Sequence, residues 1–213
     1  MKEFLEWHND IRGEKTVEAL KKNHFKACYC KERKEAIEKI LNEVPARSVI
    51  GVGGSWTVSE LGVLKELEAR GHTILNHGKP GLSPEEKMEI RRKQLTSDVF
   101  ITGTNAVTMD GQLVNVDGTG NRVAAMIFGP GRVIVVAGVN KVVKNVEEGL
   151  GRIRQTAAPI NNRRLGTANP CTLTGECMDC MGPGRICNAT VILNKKPTMT
   201  DIHVFLVGEE MGF

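Results

Sequence analysis

Aromatic residues are scarce in this chain: Phe, Trp and Tyr make up 4% of its 213 residues, with one tyrosine and two tryptophans. A platform that stacks successive bases needs more aromatic faces than that, which argues against single-stranded nucleic acid as a partner. A strong excess of one charge is also missing. The 29 basic and 25 acidic side chains leave a formal charge of only +4. The basic bursts Lys21-Lys22 and Arg91-Arg92-Lys93 sit among glutamates in helical patterns, as solvated faces do. Nothing here suggests nucleic acid. No apolar run approaches the roughly 20 residues that span a bilayer. The stretch Met1–His8 is charged where a signal peptide would carry an apolar core. The expectation is a cytoplasmic protein without a membrane partner, in a compartment where thiols stay reduced.

Against that background the cysteines stand out. Four of the six fall in one short segment, Cys171, Cys177, Cys180 and Cys187, with the spacing C-x5-C-x2-C-x6-C among Gly, Pro, Asn and Thr. A C-x2-C step lets two thiolates converge on one metal ion or cluster. Thiolates are soft ligands that suit zinc or iron–sulfur. Structural zinc sites more often pair two C-x2-C knuckles, and only one is present. The uneven spacing therefore favours an iron–sulfur cluster, expected as 4Fe-4S, with zinc or unliganded redox thiols as the alternatives. Three ligands would leave one iron open to a substrate and four would suit electron transfer; the role of Cys171 stays open between them. Cys28 and Cys30 flank Tyr29 on a strand and share a sheet face, as buried apolar thiols do. The five histidines are dispersed, without a spacing that suggests a metal site.

Helix and strand patterns alternate. Residues 2–22 and 31–43 carry apolar residues at three- and four-residue steps, and 25–30 alternates like a strand between them. A short strand at 48–52 runs into a glycine turn and a helix expected over 57–70, ended by Gly71. A strand follows at 72–75. Ser83-Pro84-Glu85-Glu86 reads as a helix start with Ser at the N-cap and Pro at the first position. Residues 98–102 read as a buried strand. Residues 106–108 and 113–116 form a hairpin closed by a two-residue Asp110-Gly111 turn. A helix opens near Asn121, a core strand covers 132–137, and a helix is expected over 142–157. Strands at 189–193 and 202–207 close the pattern. Strands spaced by helices predict one three-layer α/β/α domain over 1–213, with a mostly parallel sheet that the hairpin and late strands make mixed.

Two glycine-rich turns are candidate ligand sites. Gly51-Val52-Gly53-Gly54-Ser55-Trp56-Thr57 follows a strand and opens a helix, so its N–H groups suit a phosphate or carboxylate. It lacks the Lys-Ser/Thr ending of a P-loop, and Trp56 stands where a dinucleotide fingerprint has its third glycine. A plain helix-capping turn is the alternative. Asp117-Gly118-Thr119-Gly120-Asn121-Arg122 allows close backbone approach at Gly120. Arg122 is a fork for an anion, whereas Asp117 and Gly118 read as turn residues. Lys141, Arg163 and Arg164 suit either an anionic ligand or solvent.

The runs Thr102-Gly103-Thr104-Asn105-Ala106-Val107-Thr108-Met109-Asp110-Gly111, Asp117–Ala124 and Ala137–Val143 resemble the lactate-utilisation (LUD) domain family. Gly175–Cys180, Arg185-Ile186-Cys187 and Val207–Phe213 resemble its small single-domain members. The resemblance spans nearly the whole chain. It implies a fold like the glucosamine-phosphate deaminase, ribose-phosphate isomerase and CoA-transferase group. It also implies a role in redox or organic-acid metabolism, with a small anionic metabolite and redox partner subunits. No glutamate stands between Thr102 and Asp110, where acyl-CoA chemistry would need its nucleophile. The candidate ligand-binding set is Gly53, Gly54, Ser55, Thr57, Asn105, Gly120, Asn121 and Arg122.

Overall fold

The computed structural model describes residues 1–213. Six strands form an all-parallel sheet: β1 (Lys26–Cys30), β2 (Val49–Val52), β3 (Thr73–Leu75), β4 (Val99–Gly103), β7 (Arg132–Gly138) and β10 (Asp201–Val207), in the order β1-β10-β7-β4-β2-β3. The inner strands are near-continuous apolar runs, as expected where both faces are covered. Alternation sorts their side chains. Ile50, Val99, Ile101, Ile134, Val136, Phe205 and Val207 face α2 (Arg33–Glu43), α3 (Trp56–Leu61) and α4 (Val63–Ala69). Phe100, Val133, Val135, Ala137, Ile202, Val204 and Leu206 face the opposite side, with α1 (Lys2–Lys22) and α6 (Asn121–Ile127). Helix–sheet–helix layering is thus a direct result of strand period two.

The hairpin does not join this sheet. β5 (Ala106–Thr108) and β6 (Leu113–Asp117) pair with β8 (Val142–Val143) and β9 (Ala189–Leu193) in a separate four-stranded sheet, β8-β5-β6-β9. The single mixed sheet expected from sequence is therefore two sheets. The long parallel sheet takes β10 into its centre between β1 and β7, and the antiparallel pairing is confined to the small sheet. The hairpin loop also differs from the expected two-residue turn. The Thr108 N–H donates to the Gln112 carbonyl and the Gln112 N–H to Thr108 Oγ1, leaving Met109, Asp110 and Gly111 in a three-residue loop with Gly111 at φ 78°, the left-handed position a bulged turn needs.

Three helices depart from their expected bounds. The helix expected over 57–70 is broken by Gly62, whose φ of 78° caps α3 and starts α4. The helix expected over 142–157 begins later, because Val142-Val143 is β8. α7 spans Val146–Arg152, a π-helical turn follows at Ile153–Ala157, and α8 spans Ala158–Leu165. The wide π turn lets the helix run through Pro159, which lacks an N–H to donate. α5 (Pro84–Gln94) carries the full capping box between Ser83 and Glu86. Its last residue, Gln94, is buried and donates Nε2–H to the carbonyls of Val52 and Leu75, tying α5 to the ends of β2 and β3.

From β2 the chain crosses outward to β3, then returns past β2 to β4. Connections on either side of β2 and β4 leave in opposite directions, so a crevice opens at their carboxyl ends, the place where open α/β sheets receive ligands.

Candidate functional site

That crevice is a cavity of about 420 Å³ floored by the β2–α3 turn and by the end of β4. The turn is packed tightly. A Cβ at Gly53 would collide with the Thr102 side chain, and one at Gly103 would stand 2.5 Å from Ser55 Oγ. Gly54 has φ 68°. Ser55 Oγ accepts from the Val58 N–H, the capping role expected of it. The backbone N–H groups of Gly54, Ser55, Trp56 and Thr57 donate to nothing within the chain. The sequence offered anion binding and helix capping as alternatives for this turn; its geometry leaves room for both.

Of the sequence-based candidates, Gly53, Gly54, Ser55, Thr57, Asn105, Asn121 and Arg122 line this one cavity. Gly120 does not; at φ 87° it is the N-cap residue of α6, behind the wall. Arg122 lines the cavity, yet its guanidinium is already engaged. It donates to the Gly103 and Val116 carbonyls and to Oδ1 of Asn105 and Asn115, at 2.6–3.2 Å, and its Nε lies 3.4 Å from Asp117 Oδ2. Arg122 therefore ties β4, β6 and α6 together. Asp117 is the turn residue expected, its Oδ1 accepting from the Thr119 and Gly120 N–H groups. Asn105 Oδ1 is held by the Val116 N–H and by Arg122, which leaves its Nδ2 amide as the free end.

The free cations come from elsewhere. Lys87 and Arg91, one turn apart on α5, line the cavity and make no ion pair. The Nε of Arg91 is buried without a hydrogen-bond partner. Arg164 stands over the Trp56 ring, 5.9 Å from its centroid, at the cavity lip. Lys141 sits in the 3-10 turn after β7, 4% exposed, and donates Nζ–H to Thr57 Oγ1 at 2.6 Å. Burial, with Arg152 and Arg122 nearby and Glu60 acting in the opposite sense, pulls its ammonium down to about 7. His77 lines the same cavity and hydrogen-bonds Gln94, with burial holding its imidazolium below the usual histidine value. Arg91 reads from sequence as part of a solvated basic run and His77 as one of the dispersed histidines, and no local spacing marks Lys87. They meet here only through the α5 crossing. Asp117 is the one acidic side chain on the lining, and it faces Arg122.

The cysteine segment is the neighbour of this cavity. Cys171 is buried in α9 (Cys171–Thr174), Cys180 and Cys187 are half-buried, and Cys177 is exposed; all are free thiols. All four line one small hollow of about 20 Å³ together with Pro159, Asn162 and Ile186. They are not drawn to metal-ligand spacing. Burial raises the thiols of Cys171 and Cys187, and the neighbouring cysteines add to it. Ile186 lines both the hollow and the larger cavity. The Asp117-Gly118 turn packs directly on that segment: the Asn188 N–H donates to Asp117 O at 2.9 Å, and a Cβ at Gly118 would lie 3.1 Å from Ile186 Cα. The second glycine turn thus forms the shared wall, which its spacing alone did not reveal. Cys28 and Cys30 line neither site; they sit in the sheet, Sγ to Sγ 3.9 Å on one face as expected.

No helix is long and apolar enough to cross a membrane. A comparison with curated proteins finds no match. Among solved structures, the chain is similar to a DUF162 family protein from Deinococcus radiodurans, at 16% identity and a TM-score of 0.50, covering 93% of this chain and 98% of that one. A slighter likeness, to eIF2B delta from Chaetomium thermophilum, has 18% identity and a TM-score of 0.34 over 70% of this chain and 54% of that one. The first agrees with the α/β architecture described above. The family model of the LUD domain matches residues 13–207, which takes in the whole parallel sheet, the glycine turns and all four clustered cysteines. The chain belongs to the LUD domain family.

Proposed function

We propose that this chain is a lactate-utilisation-type protein that holds an iron–sulfur cluster on Cys171, Cys177, Cys180 and Cys187 and takes a small organic anion in the adjoining cavity. The observation that supports it is the shared Ile186 wall between a hollow lined by all four thiols and a cavity rich in unpaired cations. The donor set fits the group: four soft sulfurs around one hollow, in a Gly- and Pro-rich segment that can wrap closely. A bound cluster would supply one-electron chemistry beside the cavity.

The remaining roles belong to the chain's own side chains. Lys87 and Arg91 attract the anion, and the buried Nε of Arg91 lacks only an acceptor. The unpaired N–H groups of Gly54–Thr57 orient it. Arg122, saturated by its five contacts, keeps Asn105 and the Asp117 turn in position. Placed on a rigid sheet end and partly roofed by Trp56 and Arg164, such a ligand would be shielded from bulk water, where charge contacts are stronger.

Purification without oxygen, followed by iron and acid-labile sulfide analysis, tests the cluster. The expected result is a coloured protein with stoichiometric iron whose visible absorption is lost in Cys180→Ser. A colourless, iron-free preparation would overturn it. A second reading is a metabolite enzyme or binding module whose cysteines hold zinc or serve as structural thiols; its structural-thiol form is supported by the lack of metal-ligand spacing among the four thiols. Zinc in place of iron in the same analysis would select it.

A further inference from the structure

We propose that Lys141 is the nucleophile of the cavity and condenses through Nζ with a small aldehyde or ketone that carries a carboxylate or phosphate. This rests on the anion-binding reading above and narrows the ligand to a class: an anionic carbonyl compound.

A buried lysine ordinarily stands against a carboxylate, because an unpaired buried ammonium is costly. Lys141 has no such partner. Its Nζ bonds only Thr57 Oγ1, and no carboxylate lies within ion-pair distance of it. Glu60, the nearest acidic influence, already accepts from Trp56 Nε1 and the Gly212 N–H. The other charged groups that bear on it, Arg152 and Arg122, are cations. Those surroundings leave a large share of the amine neutral near physiological pH, which is the state that attacks a carbonyl.

The hydroxyl contacts also have a direction. Thr57 Oγ1 lies 2.6 Å from Lys141 Nζ and 3.4 Å from the Met211 carbonyl. With the Thr57 O–H turned to Met211, it accepts from the amine, and the nitrogen lone pair is left unused. The lone pair attacks the carbonyl carbon, forming the C–N bond. A proton passes from nitrogen to the carbonyl oxygen, a second proton taken up from solvent in the open cavity joins it, and that oxygen departs as water when the C–O bond breaks. The product is a protonated imine, and no oxidant is consumed. The imine is a buried cation without a counter-ion from the protein, so the ligand must bring one. Its carboxylate or phosphate, drawn by Arg91 and Lys87 from α5, serves that need. A neutral carbonyl compound would not.

The test is reductive trapping. The intact protein, purified without oxygen, is incubated at neutral pH with pyruvate or dihydroxyacetone phosphate and cyanoborohydride, then digested and mapped by mass spectrometry. At neutral pH the amine of Lys141 is unprotonated in roughly a thousandfold larger fraction than that of an exposed lysine, so the secondary-amine adduct is expected on Lys141 ahead of every surface lysine. Pyruvate and dihydroxyacetone phosphate distinguish a carboxylate from a phosphate ligand. Acetate and inorganic phosphate, which lack an aldehyde or ketone group, serve as binding controls through the melting temperature. Label spread over surface lysines with Lys141 unmodified would overturn the proposal. If acetate or phosphate still raises the melting temperature in that case, the anion cavity survives and only the nucleophile is lost. If neither does, both readings fail.

Discussion

Replacing Lys141 with Met gives the sharpest check on the electrostatics of the cavity. The side chain is 4% exposed and its ammonium falls from the ordinary 10.5 to about 7, chiefly through burial. That fall corresponds to about 5 kcal/mol against the charged form. Below about pH 7 both the folded and unfolded chains hold the proton, and the fold carries this cost in full. Between about pH 7 and 10 the unfolded chain holds the extra proton, so stability rises with pH; above that range the cost is gone. Methionine fills a similar volume and has no proton to lose, so Lys141→Met lacks this slope. Denaturant unfolding of both proteins from about pH 6.5 to about pH 8.5 should narrow the stability of the variant over the wild type by about 2 kcal/mol. All other titrating groups are common to the two proteins and cancel in the difference. A difference that stays constant with pH would refute the depressed lysine, and with it the neutral nucleophile.

Two arginines on the same cavity should behave in opposite ways. Arg122→Ala strips partners from Asn105, Asn115, Asp117 and two carbonyls and should cost about 3–5 kcal/mol in denaturant unfolding. Arg91→Ala breaks no hydrogen bond or ion pair and should leave stability within about 0.5 kcal/mol while abolishing the rise in melting temperature on adding phosphate or acetate; equal destabilisation by the two would contradict the assignment. Gly103→Ala puts a methyl 2.5 Å from Ser55 Oγ, so it should displace the β2–α3 turn, cost about 1–3 kcal/mol and weaken anion binding. Unchanged binding would show that this turn takes no part. Ser83→Ala removes the capping box of α5 and should lower stability by about 1 kcal/mol, with no effect on iron content.

Much of the architecture was legible in the sequence because its causes are local. The Ser83-Pro84-Glu86 start appeared where its capping chemistry requires, and the apolar runs at Val99–Gly103 and Arg132–Gly138 became buried central strands. Errors arose where local and non-local pairing competed. Val142-Val143 continues a helical pattern, yet it pairs with β5 and becomes a strand. Gly62 interrupts the 57–70 pattern because a left-handed residue costs glycine little. The helix expected over 142–157 runs on through Pro159, because the π turn before it absorbs the missing donor. Which sheet the hairpin would join has no local signature at all, since β5 and β6 alternate equally well in either.

By itself, the sequence determined the two chemistries available: thiolates clustered at C-x5-C-x2-C-x6-C, and glycine turns whose backbone can approach an anion. Both follow from residues near one another in the chain, where spacing alone limits what they can reach. Only the tertiary structure decided how they are used. Arg122, a free fork in the sequence, spends its donors on β4 and β6, whereas Arg91, one charge in a basic run, is left with a buried Nε that has no acceptor. Lys141 becomes unusual because β7 buries it beside Thr57, 84 residues away, with cations for neighbours and no carboxylate. Solvation and charge environment are properties of what packs around a group, and packing brings together residues that the sequence keeps apart.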